Sequence, residues 1–144
     1  MVETDIDFVV HANKEVHEAS SQTNEILEFR ERLKKDVLSN NPKAYVIIAE
    51  YNNQPIGMAL YSTVYFADEG EIIWESNIFI EKEYRNKGVA KLITKHLKQI
   101  CKEKDYYAIV GAVADSNKDS INFVNSVDGK KWLDNFKLVV FKQN

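Results

Sequence analysis

The sequence predicts a single α/β domain of the α+β kind: a mixed, mostly antiparallel sheet flanked by helices, with one parallel strand pair around a crossover helix. Three observations predict it. Segments rich in β-branched and aromatic residues follow one another from Ala44 to Glu81 with only short polar breaks. After Gly88 the apolar period changes from two to 3.6, and strand character returns at Tyr106. A strand, a helix and a second strand in that order form a right-handed crossover, hence a parallel pair inside an otherwise antiparallel sheet. The 144 residues are one domain's worth of chain, so residues 1–144 are read as one unit.

The elements follow in order. Asp5 to His11 contains Ile6, Phe8, Val9 and Val10, a short apolar stretch expected to be the first strand. From Asn24 onward Ile26, Phe29, Leu33 and Val37 recur at intervals of three and four among charged residues, which predicts an amphipathic helix ended by Asn40-Asn41-Pro42. AYVIIAEY and IGMALYSTVYF, parted by Asn52-Asn53-Gln54-Pro55, predict a hairpin. A second turn at Asp68-Glu69-Gly70 leads into EIIWESNIFIE and completes a three-stranded meander. Tyr45, Tyr61, Tyr65 and Trp74 on these strands are expected to serve core and cross-strand packing.

Val89, Leu92, Ile93, His96, Leu97 and Ile100 trace the apolar face of the crossover helix, with His96 packed, while Lys91, Lys95, Lys98 and Lys102 trace the wet face. Tyr106 to Ala114 reads as a strand, Ser116 to Val127 holds a short helix, and Phe136 to Phe141 is expected to close the sheet.

Composition narrows the function. Nineteen basic against twenty-two acidic residues give a net charge of -3, without the cationic excess of a phosphate-backbone reader, so nucleic acid is not expected as a partner. The longest apolar run is the six residues Ala44 to Ala49, against the ~20 that cross a bilayer, and the start MVETDIDF is acidic where a signal peptide is basic. One cysteine, Cys101, and three scattered histidines provide neither a disulfide nor a metal set. The expectation is a cytoplasmic protein with no membrane partner and no metal.

The junction IFIEKEYRNKGVAKLITKHLKQI is the most informative segment. A polar turn with a glycine sits between a strong strand and a strong helix, and Arg85 to Ala90 spells RxxGxA. Unpaired N–H groups in the first turn of a helix, together with its positive dipole end, favour anions by about 0.3–1 kcal/mol. A pyrophosphate suits such a site. Gly88 lets the main chain turn and approach a ligand, Ala90 keeps the first turn uncrowded, and Arg85 and Lys87 add cationic donors.

In these residues the sequence resembles the GNAT superfamily of acetyl-CoA-dependent N-acetyltransferases, whose signature is a strand, then Q/RxxGxG/A, then a helix. Phe79-Ile80, Glu83-Tyr84-Arg85, Gly88, Val89 and Ala90 fit that block, and Ala114, Asn117 and Ser120-Ile121-Asn122-Phe123 resemble the downstream block of the spermidine/spermine (diamine) acetyltransferase branch. The resemblance implies a GNAT-like sheet and an acetyl-CoA cosubstrate. It implies that the amides of Asn86, Gly88, Ala90 and Lys91 hold the pyrophosphate, assisted by the Arg85 side chain, in the loop that also carries Lys87 and Val89. It further implies that the edge of Ile78, Phe79 and Ile80 pairs with the pantetheine amides, that Asn117 bonds the cofactor arm, and that the protein is a homodimer.

The chemistry so implied is transfer of an acetyl group to a primary amine, first among them a small cationic amine, by direct attack on the thioester. Such an attack needs a neutral amine, and Glu75 in WESNIFI is the candidate base. The family's base falls at Ser76, one residue later, and in a regular strand Glu75 faces the opposite side; a bulge near Ser76 restores its direction. The family's general-acid tyrosine falls at Val124, which cannot donate a proton, and Asn125, Ser126, Tyr106, Tyr107 and water are the substitutes in view. That departure gives weight to a second reading, a catalytically weak CoA- or acyl-CoA-binding sensor or assembly protein. A nucleotide-binding module using the same helix start is a third.

Overall fold

A computed structural model describes residues 1–17 and 23–131. The expected last strand from Phe136 to Phe141 lies outside them. The described chain divides into two compact units, Met1–Ala112 and one beginning at Val113. No helix of the described residues is long and apolar enough to cross a membrane.

The first unit holds a four-stranded sheet in the order β1-β2-β3-β4. β1 (Tyr45–Tyr51), β2 (Gln54–Phe66) and β3 (Gly70–Ile80) form the expected antiparallel meander. Asn52 and Asn53 both take positive φ, 49° and 61°, as a two-residue hairpin turn requires. The crossover helix α3 (Val89–Glu103) then returns the chain to β4, which pairs parallel with β3. β4 spans only Ile109–Gly111, far shorter than the stretch from Tyr106 to Ala114 expected of it.

Two helices precede the sheet, α1 (Ile6–His17) and α2 (Thr23–Asp36). α2 is the expected amphipathic helix. α1 corrects the expected first strand: Ile6, Val9 and Val10 are buried at helical spacing, three and four apart, and Ala12 is buried beside them. The acidic start belongs to this helix, where Asp5 accepts the Val2 N–H at 2.6 Å and Asp7 lies in the first turn. Arg30 of α2 donates to Asp7, tying the two helices together.

The sheet has a core on each face. On one, α1 and Leu33 of α2 cover Val46, Met58 and Phe79; on the other, α3 lays Val89, Ile93 and Leu97 over Ile56, Ala59, Tyr61 and Ile73. Each fully buried aliphatic side chain contributes about 1.5–3 kcal/mol. The apolar face of α3 is narrower than its sequence suggests, since Leu92 is 67% exposed and His96 is exposed as well. Of the strand aromatics, Tyr61 is core, Tyr45 stacks on it with ring centroids 5.2 Å apart, and Tyr65 is out in solvent.

The second unit contains α4 (Lys118–Ser126), begun by Asn117, whose side-chain oxygen accepts the Ser120 N–H at 3.0 Å. Asp128 with φ 62° and Gly129 end it, and the Gly129 N–H reaches the Val124 carbonyl at 2.9 Å. A Cβ at Gly129 would meet Val124 Cγ1 at 2.3 Å, which explains the glycine there.

Candidate functional site: a bulged strand leading to a helix start

The site grows from one irregularity in β3. Leu60 pairs with Asn77 and Tyr61 with Glu75, so Ser76 stands opposite no residue: it is a β-bulge, at the place where one restores the direction of Glu75. Below the bulge Glu75 shares a row with Tyr61, whose side chain belongs to the α3 core. The carboxylate is thereby turned to the same face as Ile78 and Ile80, whereas a regular strand would set it beside Asn77 and Phe79 on the α1 face.

The bulge also shifts the phase of the main chain. Below it, Ile73 N–H donates to Ala108 O at 2.9 Å and Glu71 O accepts Tyr107 N–H at 2.8 Å, so these residues face β4. Above it, Glu81 N–H donates to Ile56 O at 2.9 Å and faces β2. Alternation then turns Phe79 to β2 as well, and leaves Ile78 and Ile80 facing away from it. β3 and β4 pair only through Ile73–Ile109, Trp74–Val110 and Glu75–Gly111. Beyond Glu75 the two strands part, and among the described residues the Ile78 and Ile80 edge has no strand partner.

Of the three residues assigned to that edge, Phe79 stands apart. Its main chain is turned to β2, and its ring is buried under α1, edge-on to Phe8 at 6.1 Å and to His11 at 5.7 Å. Gly57, across from Ile80 on β2, is needed for a close approach: a Cβ there would lie 2.7 Å from Ile80 Cδ1 and 3.1 Å from Phe79 O.

At its upper end β3 runs through a 3-10 turn, Lys82–Tyr84, into the loop that starts α3. Asn86 and Gly88 both adopt left-handed backbone, φ 60° and 85°. Gly88 is the N-cap and makes no side-chain cap; no atom lies within 4 Å of where its Cβ would be. The first intrahelical bond runs from Leu92 N–H to Gly88 O at 3.1 Å, so the N–H groups of Val89, Ala90 and Lys91 have no acceptor within the helix. Val89 anchors this turn by burying its side chain, while Gly88 and Lys91 stay exposed.

Two cations flank these amides. Arg85 Nε donates to Ile80 O at 3.0 Å, folding the guanidinium back along the strand end. Lys87 Nζ sits 5.5 Å from the centroid of the Tyr84 ring, a cation–π contact. An open cradle of outward N–H groups, a glycine without neighbours and two cations fits the donor demand of a pyrophosphate.

Lower down, burial raises the pKa of Glu75 above its ordinary value, and among the described residues the carboxylate has neither a hydrogen bond nor an ion pair. A desolvated, unpaired carboxylate is a better proton acceptor near neutral pH than a solvated one. Gly111 lets β4 come close here, since a Cβ on it would lie 3.3 Å from Glu75 O. Cys101 plays no such part: its thiol donates to Tyr106 O at 3.2 Å, and burial raises its pKa, away from the thiolate.

Asn117 and Val124 lie in the second unit, where Asn117 Oδ1 is engaged in capping α4. Sequence reasoning missed Asn77, Gly57 and Gly111. The signal for Asn77 was present: asparagine is depleted in strands, and here one interrupts an otherwise apolar run. A cavity of about 480 Å³ lies along α2, lined by Leu27, Glu31 and Arg32, and includes neither Gly88 nor Glu75.

Comparison with known proteins shows the family. The profile of the acetyltransferase (GNAT) family matches residues 8–127, and the chain belongs to that family. Thialysine N-epsilon-acetyltransferase of Caenorhabditis elegans is 26% identical over 114 residues, covering 79% of this chain and 70% of that protein. The human spermidine/spermine N(1)-acetyltransferase-like protein 1 is 27% identical over 101 residues, 65% of this chain and 14% of that one. Among solved structures, the AAC(6')-Iy complex with a bisubstrate analogue, CoA-S-monomethyl-acetylneamine, superposes with a TM-score of 0.76 at 14% identity, covering 100% of this chain and 95% of the other. The shared fold is that of the acetyltransferases, and the protein is an N-acetyltransferase.

Proposed function

We propose that this acetyltransferase takes its acetyl group from acetyl-CoA and gives it to the primary amine of a small cationic acceptor, by direct attack on the thioester. The observation that carries the reading is continuity: the open helix start at Gly88, the edge of Ile78 and Ile80, without a strand partner among the described residues, and the desolvated Glu75 follow one another along a single strand and its loop. From Ile80 to Glu75 the strand spans about 17 Å at ~3.3 Å per residue, on the scale of an extended pantetheine arm.

In this reading the amides of Asn86, Gly88, Ala90 and Lys91 receive the pyrophosphate. Val89 sets the turn by its buried side chain, and Arg85 and Lys87 neutralise charge. The edge groups of Ile78 and Ile80 orient the arm. Glu75 withdraws the proton from the acceptor's ammonium, directly or through water, and the neutral amine so formed attacks the thioester carbonyl and expels the thiolate. For an alkylamine of pKa near 10.4, deprotonation at pH 7 costs about 4.6 kcal/mol, which a half-buried carboxylate acting as proton acceptor reduces.

Val124 is compatible with turnover. An alkyl thiol with pKa near 8.5 leaves as thiolate at a cost of only about 2 kcal/mol at pH 7, so a water suffices to return the proton. The cationic acceptor is supported by the net charge of -3 and by relatives named for thialysine and spermidine/spermine acetylation. Homodimerisation belongs to the same proposal and is read from the mass in solution.

The test is purified protein with acetyl-CoA and a panel of thialysine, lysine, polyamines, aminoglycosides and a peptide, with thiol release followed over time. Release with one or more small diamines or amino acids and none with the peptide is the expected result. Coenzyme A affinity without release from any acceptor would return the protein to the binding-only class.

A further inference from the structure

The upper half of β3 is ambiguous by hydrophobicity. Ile78, Phe79 and Ile80 are apolar in succession, so sliding this half by one residue against β2 would still bury apolar side chains on both faces. Such a slide removes the bulge. It sets Asn77 opposite Ala59 in place of Leu60, and exchanges the main-chain groups presented at the free edge. What separates the two registers is the one polar side chain of the segment. Asn77 is 9% exposed on the α1 face, and its Nδ2 donates to Oδ1 of Asn13 on α1 at 3.0 Å. After the slide it would lie on the α3 face, away from Asn13 and against the apolar side chains of Ala59, Ile93 and Leu97, with only the row of Tyr61 and Glu75 polar beside it.

We infer that the Asn13–Asn77 amide pair is the lock that holds the bulge at Ser76 and thereby selects Ile78 and Ile80, instead of their neighbours, as the edge offered to the cosubstrate. Asn77 is in these terms a positioning residue, acting through the main chain of Ile78 and Ile80. The lower half of β3 needs no such device, because Gly111 and the parallel ladder to β4 hold it. A buried polar contact kept for register and not for stability is an established use of asparagine in other folds. The inference rests on the proposed reading of the edge, and its test separates the two.

Replacing both partners, Asn13→Leu with Asn77→Leu, removes the lock without leaving an unpaired amide, so the variant should keep or exceed the parent's Tm. In its NMR spectrum we expect cross-strand contacts from Ala59 to residue 77, where the parent shows Ala59 to Ile78. Its Kd for coenzyme A and its KM for acetyl-CoA should rise about tenfold, the loss of one or two net hydrogen bonds, with kcat at saturation changed less. Asn13→Asp, which still accepts from Asn77, should restore the parent's register and hold Kd within about twofold. A double variant with the parent's Ala59–Ile78 contacts and the parent's Kd would overturn the lock, as would Asn13→Asp losing the register. A shifted register with undiminished coenzyme A affinity would uphold the lock and overturn the reading of the edge.

Discussion

The two halves of β3 differ in one respect that organises the site. From Ile73 to Glu75 the strand is paired on both sides, with β2 and with β4; from Asn77 to Ile80 it is paired, among the described residues, with β2 alone. Sequence character does not separate them, for both are apolar and β-branched. The extra residue at Ser76 does. It puts the upper half out of phase with the parallel ladder, increases the local twist, and lets β4 part from β3 where a ligand arm needs an edge. A single unpaired residue therefore sets both where pairing stops and which face the carboxylate takes.

The comparison can be broken at its junction. Glu75→Gln keeps the row with Tyr61 but removes the proton acceptor, and kcat should fall about a hundredfold or more while KM for acetyl-CoA holds. In the parent, the acid limb of kcat should lie above that of a solvated glutamate, because burial raises the Glu75 pKa and the rate climbs only as that carboxyl ionises. At the top of the upper half, Gly88→Asp places a carboxylate among the free amides and forces an L-residue to φ 85°. The two effects together amount to about 2 kcal/mol, roughly a thirtyfold loss of coenzyme A affinity by calorimetry.

The lower half is sharpened by Gly111→Val. Its Cβ would press on Glu75 O from 3.3 Å, and the branched side chain should loosen the ladder at a cost of about 1–3 kcal/mol, read as a lowered Tm. The smallest effect is the pH dependence of stability. Because the folded-state pKa of Glu75 lies above its ordinary 4.5, the folded protein holds more protons between those two values, and stability falls as pH rises through that window. Glu75→Gln should therefore melt higher than the parent above the window and level with it below pH 4.

Much of this was legible in the residues. The meander, α2, α3, the parallel pair and the glycine-started loop all follow from period and turn chemistry, and the offset of Glu75 from Ser76 named the place where a bulge would restore its direction. α1 was not legible as a helix. Phe8 fills the gap in the i, i+3, i+4 pattern of Ile6, Val9 and Val10, so that a four-in-five apolar stretch looks like a strand, and the helix face continues through Asn13, a polar residue whose partner is 64 positions away. The breadth of α3 was overread for a related reason. Period places Leu92 and His96 near the buried stripe, but where that stripe ends depends on how much sheet there is to cover, and β4 contributes only three residues. Phe79 was misplaced for want of the phase shift, which no count of residues along one strand reveals.

Arg85 illustrates what the strand end contributes before any ligand arrives. With Nε donating to the Ile80 carbonyl, the long side chain is tied to the strand end at one point, and its two terminal nitrogens remain as donors. A guanidinium staged in this way meets a phosphate at a lower entropic cost. A lysine at the same position would bring equal charge, but as a wandering point without the second contact.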